Sequence, residues 1–420
     1  MGVHVDNAKV SRAAVKLGCL VLKAPFVYLG SIVGGNMNRL HAWNDIVDRI
    51  KRHLSKCKMT SFSIGGRLTL VKSVLGSMPI FHMAMFNVPA GVISMHEMIR
   101  SHFFNGHDIS SKKASWVYWK KVLAHKDKGG LGVSSLYALN RGMMFKWVWR
   151  FLYHDKSLWA SVIKAIHRVD GNIGKCSRTS NKSCWENILN EVKVTPRGGV
   201  VRVQMEELEM LIISVRLTPM ADRLIWTLDS AGIFSVASVR TLIDNKMLPV
   251  GNLKTWWIKN VPIKVNVHAW KVMTDSLPTR FNISRRGIDI DSLVCVNCDR
   301  GVETSRHLFF KCGMVKQVYH LINRWWDVPD MEIDSYDTWK TWLSNICMHS
   351  RNKKMFEGVY YVMWLLIWNF QNKKIFEAKV ISKAIFFDDV ICKSFHLCRF
   401  RCKASFSWND WLKNPNLISL

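Results

Sequence analysis

The stretch "VCVNCDRGVETSRHLFFKC", residues 294–312, is the tightest constraint on how this chain can fold. Cys295 and Cys298 form a C-x2-C pair; His307 follows after eight residues and Cys312 after four more. Zinc takes four soft or borderline ligands at tetrahedral corners. A two-residue gap lets one tight turn offer two sulfurs to an ion. The next eight residues include Gly301 and can loop back to return His307 and Cys312 to the same point. Three thiolates and an imidazole leave no open coordination position. The spacing therefore predicts a structural zinc site, worth about 10–16 kcal/mol of apparent binding free energy to the folding of its segment. The competing reading is four chance residues among eleven cysteines. His320, beyond Cys312, is a reserve ligand.

Charge narrows the choice of partners. Sixty Lys+Arg against 31 Asp+Glu give a net charge of +29, and such an excess repels itself unless a polyanion lies nearby. RNA or DNA is the expected partner. The finger itself is nearly neutral, since Arg300, Arg306 and Lys311 stand with Asp299 and Glu303, and three thiolates on Zn²⁺ add about one negative charge. Any grip on a polyanion must come from elsewhere: Lys271, Arg280, Arg285 and Arg286 just upstream, and the helix face carrying Arg49, Arg52 and Lys56. Residues 39–72 hold eight Lys/Arg and two acids, and residues 112–128 hold six and one. Each such patch could equally be a solvated helix face.

The longest nearly continuous apolar run, "VYYVMWLLIWNF" (359–370), is twelve residues. A membrane span needs about twenty, so a buried helix is expected and no membrane role. The N-terminus lacks a signal peptide's apolar stretch, which predicts a nuclear or cytoplasmic protein with reduced cysteines.

Along the chain, residues 1–30 alternate weakly and read as strand and turn. Leu40, Trp43, Val47, Ile50, Leu54 and Cys57 recur at helical spacing. "IGG" (64–66) reads as the break before a second helix carrying Leu68, Val71, Val74 and Leu75, which ends at Pro79. "KDKGGLG" (126–132) is a loop before a Trp-rich helix, "DGNIGKCSRTSNKS" (170–183) a linker, and "DRLIWTLDSAGIFSV" a hairpin. Helical patterns resume at "VPIKVNVHAWKVM" and run past the finger. The expected fold class is mainly α with small β-hairpins (α+β), in several domains. Most of the nineteen tryptophans are expected in cores.

Two other groups invite chemistry. Cys392, His396, Cys398 and Cys402 fit one helix with buried thiols as well as they fit a metal. "FFDD" (386–389) pairs two aspartates after an aromatic residue, as polymerases do to hold Mg²⁺; here no segment offers a third carboxylate, and an exposed acidic pair is expected. "SIVGGN" and "SIGGR" lack the lysine and spacing of a phosphate-binding loop.

In order, "LGCLVLKAPFVYLGSIVG", "SKCKMTSFSIGGRLTLVKSVLGSMPIFHMAMFNVP", "GGLGVSSLYALNRGMMFKWVWRF", "GIFSVASVRTLI", "WWIKNVPIKVNVHAWKVMTDSLPTRFNISRRGI" and the finger carry a resemblance. The chain resembles the C-terminal part of a plant LINE-type (non-LTR) retrotransposon reverse transcriptase, including that family's zinc-binding domain. The resemblance implies zinc on Cys295, Cys298, His307 and Cys312. It implies a post-palm and thumb-like region over 1–95, a helical connection over 96–231, the zinc-binding domain over 232–326 and a basic helical tail over 327–420. The family's catalytic aspartates precede "YLG", so the expectation is a chain without the palm, inactive in nucleotide transfer by itself and binding RNA or DNA without sequence preference. A section of a longer active RNA-directed DNA polymerase, or a degenerate reading frame, are the alternatives.

Overall fold

The computed structural model describes residues 6–21, 25–28, 31–56, 62–108, 111, 115–154, 156–173, 183–192, 225–249, 251, 253–377, 382–401 and 406–418. They are mostly helical, and the apolar residues gather into two large cores and a small satellite.

The first core is built from residues 37–136 together with Val267 and Trp270. Helix Asn44–Lys56 buries Ile46, Val47, Ile50 and Leu54 on one stripe, and Trp43 just ahead of it is fully enclosed, donating Nε1–H to the Met37 carbonyl at 2.8 Å. Leu40, expected on the same stripe, is 57% exposed. It sits in a 3₁₀ turn, Leu40–Trp43, whose tighter winding rotates it off the face. Cys57 lies outside the described residues. The "IGG" triplet does not separate two helices as expected. Ser63 caps a helix Ile64–Leu70 that contains both glycines. A Cβ on Gly65 would stand 2.6 Å from the backbone nitrogen of Lys264, so the glycine is there for a close helix crossing. The helix runs on through a wide π turn, Val71–Leu75, which keeps Leu68, Val71 and Leu75 inside and turns Val74 outward.

The second core surrounds the helix Ser350–Phe376. It contains the twelve-residue apolar run and is hydrophobic on nearly every side, so packing must surround it. Tyr360, Tyr361 and Trp364 pack against Trp339 of helix Tyr336–Asn345, and Tyr360 also against Trp342. No described helix is long and apolar enough to cross a membrane. Nine of the nineteen tryptophans are buried, while Trp256 and Trp408 are exposed.

Helix Ile263–Met273 joins the cores. Val265, Ala269 and Val272 face the second; Val267 and Trp270 face the first. Trp270 Nε1 also donates to the Gly129 carbonyl at 2.8 Å, fixing the "KDKGGLG" loop. The satellite core gathers helices Leu136–Tyr153, Leu158–His167 and Cys184–Val192 around Trp185.

At the N-terminus, the weak alternation conceals a helix, Asn7–Leu17, capped by Asp6 and ended by Gly18 at φ +61°. Strands Phe26–Tyr28 and Ser31–Val33 then pair antiparallel, Val27 opposite Ile32. At the "LDSAG" turn Trp226 N–H reaches the Gly232 carbonyl at 3.1 Å, with no strand ladder among the described residues. Residues 174–182 of the expected linker lie outside the described residues.

Candidate metal centre

The finger begins with a tight turn. Cys295 N–H donates to the Gly301 carbonyl at 3.0 Å, Asp299 N–H to the Cys295 carbonyl at 2.9 Å, and Val294 bridges Val302. Asp299 (φ +54°) and Gly301 (φ +71°) take left-handed backbone to close the loop. A Cβ on Gly301 would press on the His307 imidazole, 3.1 Å from Cε1. A π turn, His307–Lys311, then carries the chain from the histidine to Cys312, whose N–H donates to the His307 carbonyl at 2.7 Å.

These turns bring one donor atom from each of Cys295, Cys298, His307 and Cys312 within 4.8 Å of one another. Cys298 Sγ lies 3.3 Å from His307 Nε2, so Nε2 faces the cluster. Tetrahedral zinc, with bonds of about 2.3 Å to sulfur and 2.0–2.1 Å to nitrogen, sets donor separations near ~3.5–3.8 Å. The donors fit such an ion with small side-chain adjustments, and their chemistry, three thiols and an imidazole, is zinc's. His320, the reserve ligand, is instead turned to Asp330.

Electrostatics favours deprotonation at one corner. Cys312 is the N-cap of helix Gly313–Trp325. A hydrogen bond from the Cys295 thiol holds the Cys312 thiol below its usual range, and N–H groups of Val315 and Met314 assist against the opposing effect of burial. Cys295 is held up by that same bond and by burial. Burial lowers the His307 pKa, which favours the neutral imidazole that a metal requires.

The finger is riveted to its surroundings. Glu303, fully buried, accepts the Arg280 backbone N–H at 3.0 Å and the Gln371 side-chain amide. Burial raises its pKa, against the lowering effect of those bonds. Arg280 Nη1 donates to the Val294 carbonyl at 2.9 Å, and Lys374 Nζ to the Val296 carbonyl. Tyr319 donates to the Phe309 carbonyl at 2.7 Å and accepts from Trp364 Nε1 at 3.0 Å. In the sequence Glu303 counts only toward the finger's charge balance; its anchoring role depends on Gln371, 68 residues away, which local spacing cannot reveal.

The seven basic residues singled out for nucleic acid are not gathered into one site by the contacts. Arg49 and Arg52 are exposed on the outer face of their helix, and the Lys56 side chain lies outside the described residues. Arg285 is exposed, and so is Arg286, whose guanidinium lies 4.1 Å over Trp116. Arg280 is engaged with the finger backbone. Lys271 is half-buried, its pKa pushed down to about 8 by burial and then by Arg67. Asp388 and Asp389 are exposed in the first turn of helix Phe386–Arg401, which also carries half-buried Cys392, exposed His396 and buried Cys398.

Residues 234–319 match the family model described as "zinc-binding in reverse transcriptase", and all four donors fall inside the match. The chain is similar to an Arabidopsis thaliana protein named "Putative ribonuclease H protein", with 24% identity over 64% of this chain and 54% of the relative. It is also similar to an "Uncharacterized mitochondrial protein" of the same plant, with 23% identity over 29% of this chain and 80% of the relative. The match and these likenesses support a plant retrotransposon-derived protein of the reverse-transcriptase type. The chain spans about half the length of the first of those relatives.

Proposed function

We propose that these residues form a nucleic-acid-holding part of a retroelement reverse transcriptase, with a structural zinc at Cys295, Cys298, His307 and Cys312. Residues 232–326 act as the zinc-binding domain between a thumb-like region and a basic tail. Zinc supplies a fixed four-cornered cross-link that a segment of this size could not obtain from burial alone. The observation that carries the reading is the four-donor cluster inside the matched segment. The +29 charge and exposed Arg49, Arg285 and Arg286 support contact with RNA or DNA through the phosphate backbone, without sequence preference. Nucleotide transfer is not assigned to these residues, because the exposed aspartates at 388 and 389 meet no third carboxylate among the described residues.

Fluorescence anisotropy with labelled single-stranded oligonucleotides of unrelated sequence tests the reading. Affinity should be similar across sequences and fall steeply with salt, the log–log slope being about −0.7 per neutralised phosphate. A flat salt response contradicts it. A second reading, that these residues are a section of a longer active polymerase, is favoured by the half-length match. Primer extension by this chain alone would contradict the assignment of no nucleotide transfer to these residues.

A further inference from the structure

The two large cores do not close completely where they meet. A cleft of about 590 Å³ opens there, within the range of about 300–1,000 Å³ usual for ligand sites. Lys121, on the short helix Trp119–Leu123, and Lys128, in the loop that follows, line it beside the first core. Asp275, just past helix Ile263–Met273, and Asp337, in the first turn of helix Tyr336–Asn345, line it from the second. Ala124, Pro249, Leu253 and Met273 supply an apolar lining.

The walls are fixed by the protein's own bonds. Gly251 N–H donates to the Lys128 carbonyl at 2.9 Å and Thr255 N–H to the Lys126 carbonyl at 2.8 Å, so two chain segments run side by side. They pass so closely that a Cβ at Gly129 would lie 2.8 Å from the Leu253 carbonyl oxygen. Asp275 is held as well, accepting from Asn282 Nδ2 at 2.8 Å and from the Ser305 hydroxyl, both at Oδ1.

The charges in the cleft are not spent on one another. Lysine–carboxylate pairs form elsewhere on the surface, as between Lys254 and Asp127 or Lys316 and Glu332. Among the described residues no ion pair joins Lys121 or Lys128 to Asp275 or Asp337; Lys128 Nζ donates instead to the Asn245 carbonyl at 2.9 Å. Two ammonium groups and two carboxylates therefore share one cleft and stay apart. A simple anion would meet the carboxylates, and a simple cation the lysines. The matching ligand joins an anionic group, neutral hydrogen-bond donors and an apolar body.

We propose that this cleft binds one ribonucleotide unit. The phosphate pairs with Lys121 and Lys128, the base lies on the apolar lining, and a sugar hydroxyl donates to Asp275 or Asp337. Within a strand the 3′ oxygen is esterified, so the hydroxyl left to donate is the 2′-OH, which DNA lacks. The nucleotide in function belongs to an RNA strand. That step rests on the nucleic-acid reading above and narrows it to RNA; the cleft's chemistry does not depend on it.

The test uses the zinc-loaded full chain and two labelled decamers, oligouridylate and oligodeoxyuridylate, which differ only in the 2′-OH. Anisotropy at one salt concentration reads both. Wild type should bind the ribo strand roughly fivefold or more tightly than the deoxy strand. Lys121→Gln should weaken both strands and keep their ratio. Asp275→Ala combined with Asp337→Ala should bring the two affinities to within about twofold of each other. If that double variant does not fold, Asp337→Ala alone should at least halve the ratio. Equal binding of both strands by wild type, or a ratio that the aspartate variants leave untouched, would overturn the proposal while strand binding stands. If neither strand binds, the nucleic-acid reading fails, and isothermal titration with uridine 5′-monophosphate decides the cleft. Saturable binding that Lys121→Gln weakens keeps it as a mononucleotide site; no binding overturns it.

Discussion

The backbone N–H of Arg280 donates to Glu303 Oε1 at 3.0 Å, tying the finger to the short helix Arg280–Ser284 through a carboxylate that has no exposure to solvent. Gln371, on the central helix Ser350–Phe376, donates to the same oxygen. One side chain therefore joins three parts of the second core.

Removing Glu303 leaves two buried donors without an acceptor. Glu303→Ala should lower unfolding free energy by about 3 kcal/mol or more, while Glu303→Gln, which keeps one acceptor oxygen, should cost less. Urea unfolding of the zinc-loaded protein measures both. Equal losses would mean that the carboxylate's bonds do not anchor the finger.

Gly301 and Gly287 separate backbone strain from ligand crowding. Both have φ above +70°, but a Cβ at Gly287 meets nothing within 4 Å, whereas at Gly301 it crowds His307. Alanine at either position costs about 1–2 kcal/mol of left-handed strain. Only Gly301→Ala should also weaken zinc binding, by roughly tenfold or more, about 1.4 kcal/mol. Competition with a chromophoric chelator reads the difference.

Acid should destabilise this protein through buried histidines outside the donor cluster as well. His96 and His268 are buried, and their pKa values are lowered to about 4 and about 3, first by burial and then by Arg100 and Lys271 respectively. Below the unfolded value of 6.5 the unfolded chain takes up protons that the folded one refuses, so stability falls with falling pH until the folded pKa is reached. Each contributes up to about 1.4 kcal/mol per pH unit. Between pH 6.5 and 4.5 the pH slope of the urea-derived free energy should flatten in His96→Gln by about that amount. An unchanged slope would contradict the assignment.

The finger was readable because its determinants are local. Four donors at fixed spacing, Gly301 between them and one turn of chain are all contained in nineteen residues. The buried helix around Val359–Phe370 was readable for the same reason, as was the amphipathic stripe of Val47, Ile50 and Leu54. What escaped reading depends on partners distant in sequence. Gly65 and Gly66 look like a helix break, yet Gly65 is there for Lys264, two hundred residues on. Lys271 looks like a surface cation, yet Trp270 and Val272 carry its helix between two cores. Asp6 and Gly18 are a cap pair that marks the N-terminal helix despite the weak alternation between them.

The most direct test is the metal content of the purified chain, followed by its removal. Inductively coupled plasma analysis should find one zinc per chain, and Cys312→Ser should lose it. Because Phe309 and Tyr319 link the finger to Trp364, chelation should also collapse the near-ultraviolet circular dichroism of the second core. Protein that carries no zinc yet keeps that spectrum and its melting temperature would contradict a metal-held module at residues 295–312.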